Sequence, residues 1–151
     1  MRQYLLFAAA FTLIGCSNRS TSTQTTATDT TGTAQTDAVA KTYCFRQVTG
    51  RDSVTARLVM NGADVTGELA VLPYEKDRAR GPIRGTLTNN QIRADWQRSG
   101  EGVTQPHELV FTLTDSVLTW REGERVEKQG KWVLRDPNAG FQYKLTRTEC
   151  P

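Results

Sequence analysis

The chain holds one histidine, His107, and three cysteines, Cys16, Cys44 and Cys150, among its 151 residues. One imidazole cannot build a multi-histidine metal centre, and no Cys-x-x-Cys or His-x-x-His spacing occurs, so no metal is expected. His107 could still serve as a general base or as a polar group that orients a ligand. Glu108 or Glu101 is the carboxylate that an enzyme would set beside it. Ser53 and Ser116 are the nucleophile candidates, each beside an aspartate in a turn, and nothing in the sequence brings His107 to both. Gly-x-Ser-x-Gly, phosphate-loop and dinucleotide-binding patterns do not occur. Neither catalysis nor a cofactor is expected.

Cys16 has a different chemistry. Met1 and Arg2 lead into an apolar run from Tyr4 to Ile14, followed at once by Gly15 and Cys16. A charged start, a short apolar segment and a small residue before the cut are what secretion requires, and the run is too short to span a bilayer. Leu13-Ile14-Gly15-Cys16 resembles the lipobox, whose cysteine takes a diacylglycerol and becomes the mature N-terminus. Residues 1–15 are accordingly read as a signal peptide and Cys16 as the lipidation site. Two or more acyl chains such as palmitate, at about 0.8 kcal/mol per buried methylene, anchor a protein stably. Ser17 stands where an Asp would signal inner-membrane retention. The expected destination is the outer membrane, with the domain facing the periplasm.

From Ser17 to Ala40 the composition turns to Ser, Thr, Gln, Ala and Asp without an aromatic residue. Such a segment cannot bury enough apolar surface to offset its ordering entropy, so residues 16–40 are read as a lipidated, disordered tether. As a flexible coil it would reach on the order of 25 to 30 Å. Residues 41–151 are long enough for one modest core and read as a single domain. Their 17 basic and 14 acidic residues are interspersed, as in Arg121-Glu122 and Glu127-Lys128, and make no case for nucleic acid.

Within the domain the apolar residues alternate with period two, broken at short intervals by Gly, Asn and Asp. Val54, Ala56, Leu58 and Met60 share one face. Asn61-Gly62 is expected to mark a hairpin turn, since both residues tolerate positive φ. Val65, Gly67, Leu69 and Val71 make the next inward set. Ile83, Gly85 and Leu87 follow a charged loop, and Asn89-Asn90 leads into Ile92, Ala94 and Trp96. Leu109, Phe111 and Leu113 come next, then Leu118 and Trp120, Trp132 and Leu134, and last Phe141, Tyr143 and Leu145. With Tyr43 and Phe45 these make about nine strands and no helix. The fold expected is all-β, an antiparallel meander closing into a small barrel of eight or nine strands. Val65-Thr-Gly-Glu-Leu69 and Ile83-Arg-Gly-Thr-Leu87 echo one another, which crowding at inward positions of a barrel wall explains better than a repeat.

Cys44 is out of phase with Tyr43 and Phe45, and Cys150 has the parity opposite to Phe141, Tyr143 and Leu145. Both sulfurs should therefore lie on the outer face of the first and last strands. In an oxidising compartment they are expected to form a disulfide, which requires those two strands to be neighbours.

His107 shares parity with Leu109 and Phe111, so an inward position near a barrel rim is one reading. The reading favoured here is an end-of-strand histidine in solvent, just after Pro106. The loop from Tyr74 to Gly81 concentrates charge, and Arg78 and Arg80 there are candidates for an anionic group, although a solvated loop is the preferred account. Trp96, Trp120 and Trp132 all carry inward parity, as core or as pocket lining.

Tyr43-Cys44, Asp52-Ser53-Val54, Val65 to Leu69, Glu75-Lys76-Asp77, Gly81 to Gly85, Ile92 to Trp96 and Glu101-Gly102 together make the domain resemble a group of small lipoproteins and secreted proteins from Bacteroidetes. The resemblance covers roughly residues 42 to 115. It implies a calycin-like barrel and carries no mechanism. The domain is also similar to membrane-bound lysozyme inhibitors, small lipoprotein barrels stapled by a disulfide between their chain ends. It departs from them in lacking their Ser-Gly-x-x-Tyr loop. Asp29-Thr30-Thr31, Asp52-Ser53-Val54 and Asp115-Ser116-Val117 look like the O-glycosylation signal of Bacteroidetes; Thr30, in the tether, is the candidate site, and the other two read as turns.

The expected function is that of a lipid-anchored, monomeric barrel that binds a small hydrophobic ligand or an envelope protein. A hollow interior lined by Met60, Trp96, Phe111 and Trp120, with His107 at the rim, would favour a ligand. A packed one would leave the surface to a partner. The opposing readings are an inhibitor of an envelope-attacking enzyme and a hydrolase using His107.

Overall fold

Alternation of large apolar and polar residues builds ten strands in the computed structural model, which describes residues 39–151. They are β1 (Lys41–Thr49), β2 (Asp52–Asn61), β3 (Asp64–Leu72), β4 (Ala79–Thr88), β5 (Gln91–Gly100), β6 (Val103–Leu113), β7 (Val117–Glu122), β8 (Arg125–Lys128), β9 (Lys131–Leu134) and β10 (Phe141–Thr148). The signal peptide, the lipidation site Cys16 and the candidate glycosylation site Thr30 lie outside the described residues.

Eight strands close into an antiparallel barrel in the order β5-β4-β3-β2-β1-β10-β7-β6, with β6 returning to β5. The chain meanders from β1 to β7, leaves the wall to form the β8–β9 hairpin, and re-enters as β10 between β7 and β1. Its inward residues make one continuous core that includes Phe45, Leu58, Ile83, Ile92, Phe111, Leu118 and Leu145. Burying each such side chain contributes about 1.5 to 3 kcal/mol, the main force closing the wall.

Cys44 and Cys150 are bridged, with Cα atoms 5.2 Å apart. Cys44 is in β1, where it pairs with Thr148, and Cys150 lies two residues past the end of β10, so the bridge ties β1 to the exit of the strand beside it.

Two glycines of the echoing segments mark places where wall strands approach closely. A Cβ on Gly67 would overlap the carbonyl oxygen of Arg57, and one on Gly85 would meet the carbonyl oxygen of Arg93 and the Cα of Ala94. Crowding between strands accounts for the echo.

Several expectations need correction. The β2–β3 turn falls on Gly62-Ala63, one residue later than expected, with positive φ at Gly62, and Asn61 remains in β2, paired with Asp64. The β4–β5 turn does fall on Asn89-Asn90, with positive φ at Asn89. β4 begins at Ala79, which places Arg80 in the wall and not in the charged loop. Trp132 is not a barrel residue: it sits half-buried on β9, whose contact with β6 is the parallel pairing of His107 with Trp132. Phe141 keeps inward parity but lies at the rim, 61% exposed.

Candidate functional site

Met60, Trp96, Phe111 and Trp120, the residues that would line a hollow interior, are packed into the core, their exposure no higher than 9%. The Phe111 and Trp120 rings meet edge to face at 5.3 Å, and Trp120 stacks on Tyr143 at 4.6 Å. Ring-to-ring packing of this kind occupies the space a ligand would need.

One end of the barrel carries the β1–β2, β3–β4 and β5–β6 connections, and just inside it sit Trp96 and His107, cross-strand partners on β5 and β6. Their rings lie edge to face at 6.0 Å. His107 is 8% exposed, so the solvent position expected for it is wrong. The reason is that β6 runs on through Pro106 instead of ending there. Pro106 pairs with Gln97 of β5, while the β6–β7 ladder reaches only Thr112 and Leu113. Proline is tolerated where a strand lacks a ladder partner on one side. Burial first, and then the positive charge of Arg125, lower the His107 pKa from 6.5 to about 4; Glu122 opposes them and Arg98 adds to them. The imidazole is therefore neutral at pH 7. Among the described residues His107 Nδ1 and Trp96 Nε1 have no hydrogen-bond partner, which costs about 1 to 3 kcal/mol for each group.

The carboxylates proposed for His107 do not join it. Glu108 projects from the opposite face of β6 and accepts a 2.7 Å hydrogen bond from Arg93. Glu101 lies in the β5–β6 turn with φ of 51°. Ser116 is in the β6–β7 turn at the other end of the barrel, and Ser53 is in β2 with parity opposite to the inward Val54. Arg78 and Arg80 are both exposed, and among the described residues neither has a carboxylate within 4.0 Å.

A concave surface is formed on the outside of the wall. Past Thr112↔Thr119 the pairing of β6 with β7 stops, and the β8–β9 hairpin lies over the opening. Arg125 fastens it. With only 8% of its side chain exposed, its Nε and Nη2 donate to the two carboxylate oxygens of Glu122 at 2.6 and 3.0 Å. Its Nη1 donates to the carbonyl oxygens of Glu108 and Trp132 at 3.1 and 2.9 Å. The planar guanidinium fork suits this four-way arrangement, which lysine could not reproduce. Lys131 adds a second tie from its Nζ to Asp95 on the outer face of β5, at 2.7 and 2.9 Å.

Between hairpin and wall is a cleft of about 1110 Å³. Its floor is made by outward side chains of β5, β6 and β7, including Arg93, Thr112, Thr119 and Arg121. Its rim includes Lys128, Gln129 and Asn138, with Gln142 entering from β10. Sequence alone does not reveal this site, because Arg-Val-Glu-Lys in β8 has one apolar residue and no period, and Arg121-Glu122 and Glu127-Lys128 stand out only as interspersed charges. The available signal was the Glu122-x-x-Arg125 spacing across Gly123. Among the described residues no group of three His, Cys, Asp or Glu side chains gathers as a metal site. Comparison with family models, with curated proteins and with solved structures finds no match to this chain.

Proposed function

We propose that the protein is a non-catalytic binding module, anchored to the outer membrane through lipid on Cys16 and facing the periplasm, whose exterior cleft receives an envelope ligand or partner. The observation that carries this reading is the contrast between a barrel filled by its own side chains and a 1110 Å³ cleft on its wall. Eight-stranded barrels either fill themselves or enclose one small ligand. Here Met60, Phe111 and Trp120 do the filling, which moves recognition outward. The neutral His107, on the opposite face of β6 from Glu108 and far along the strand from Ser116, supports a role in packing over one in proton transfer.

Anchoring is tested by metabolic labelling: radiolabelled palmitate should mark the wild type and not Cys16→Ala, and equal labelling of both would remove the lipoprotein reading. The cleft is tested by a photo-crosslinking residue at Thr112, on its floor, and at Thr55, outward on β2. Adducts from living cells should arise from position 112 alone. Equal adducts from both, or none from either, would refute the cleft as the working surface.

A further inference from the structure

We infer that the cleft takes a short acidic oligosaccharide, whose charged groups are held by Arg121 and Lys128. The inference rests on the binding reading above and adds the ligand class. Four cations face the cleft, and two of them are already neutralised: Arg93 by Glu108 and Lys131 by Asp95, each at 2.7 Å. Arg121 and Lys128 are not; among the described residues neither has a carboxylate within 4.0 Å, and Arg121 spends only Nη1, on the carbonyl oxygen of Gly140. Two uncompensated cations lining one cleft favour an anion, and a guanidinium holds a carboxylate or phosphate through paired hydrogen bonds.

The remaining lining selects among anions. Amides and hydroxyls both donate and accept, as sugar hydroxyls do, and Gln129, Asn138, Gln142 and Thr119 supply them around the two cations. Of the apolar residues that also line the cleft, Trp120 and Leu109 are turned into the core, 3% and 1% exposed, which leaves Val110, Val133, Leu134 and Pro137 to pack against the faces of sugar rings. The volume exceeds the roughly 300 to 1,000 Å³ of a site for one small molecule, as a chain of sugars requires.

The test uses the full chain in detergent, isotope-labelled so that amide shifts locate binding, with oligogalacturonate hexamer, its neutral methyl ester and a hexaglutamate peptide as probes. The carboxylated sugar should bind at millimolar concentration or below and shift amides of β6, β7 and the hairpin. The ester should bind about tenfold more weakly or worse, as loss of one charged hydrogen bond implies. Arg121→Gln combined with Lys128→Gln should weaken the acidic sugar by about tenfold or more. Lys128→Glu alone, a change in an exposed residue at the end of β8, should weaken it too while the thermal midpoint holds. Equal binding of sugar and ester in the cleft would overturn the anionic inference and leave the cleft as a binding surface. Tighter binding of hexaglutamate would overturn the saccharide assignment, and absence of cleft shifts with every probe would overturn the inference outright, with the crosslink from position 112 judging the binding reading separately.

Discussion

His107 is a polar group placed where polar groups are costly, and its titration should show that cost. In the unfolded chain the imidazole takes a proton near pH 6.5, whereas in the folded protein it resists protonation down to about pH 4. Between these values the unfolded chain binds a proton that the folded one refuses, so acid favours unfolding. The contribution is fully present above pH 6.5 and is lost as pH falls toward 4. From pH 7.5 to pH 5 this should remove about 1 to 2 kcal/mol, after allowing for water at the barrel mouth. His107→Gln, which stays neutral throughout, should lack that increment, so urea midpoints of the two proteins should converge on acidification. Parallel pH profiles would show that His107 is solvated and titrates normally.

At the scale of elements, the β8–β9 hairpin depends on one side chain more than on its own four-residue strands, which are too short to hold themselves. Arg125→Ala would leave the carbonyl oxygens of Glu108 and Trp132 and the Glu122 carboxylate without their shared donor. The cost should be about 2 to 4 kcal/mol, with Arg125→Lys recovering only part because it lacks the planar fork. Hydrogen exchange should locate the loss in β8 and β9 and leave β1 to β4 protected; uniform loss across the barrel would mean that Arg125 supports the whole wall. The barrel strands were legible because each buries one face: Val54, Ala56, Leu58 and Met60 announce β2 by period alone. The hairpin was not, because it is held by ion pairs and carbonyl contacts that leave no hydrophobic period. The cleft was hidden for the same reason, since its residues occupy outward positions that alternation assigns to solvent. Pro106 misled because its usual meaning, the end of a strand, does not apply where β6 has lost β7 as a neighbour.

For the whole molecule, the determining event is closure, in which the last strand is laid between β7 and β1 after the hairpin has left the wall. The positions of Cys44 in β1 and Cys150 just past β10 contain this topology, because their sulfurs can meet only if the first and last strands are neighbours. The bridge links positions 106 residues apart, so in the unfolded state it constrains almost the entire domain. The chain-entropy account gives about 4 to 5 kcal/mol for a loop of that length. Cys150→Ser should therefore lower the unfolding free energy by about that amount. The wild type in reductant should fall to the variant's value, since the barrel core is the same in both. The denatured, unreduced wild type should show no free thiol from Cys44 or Cys150. Two titratable thiols there, or equal stability of wild type and variant, would mean that the core closes the barrel without the staple.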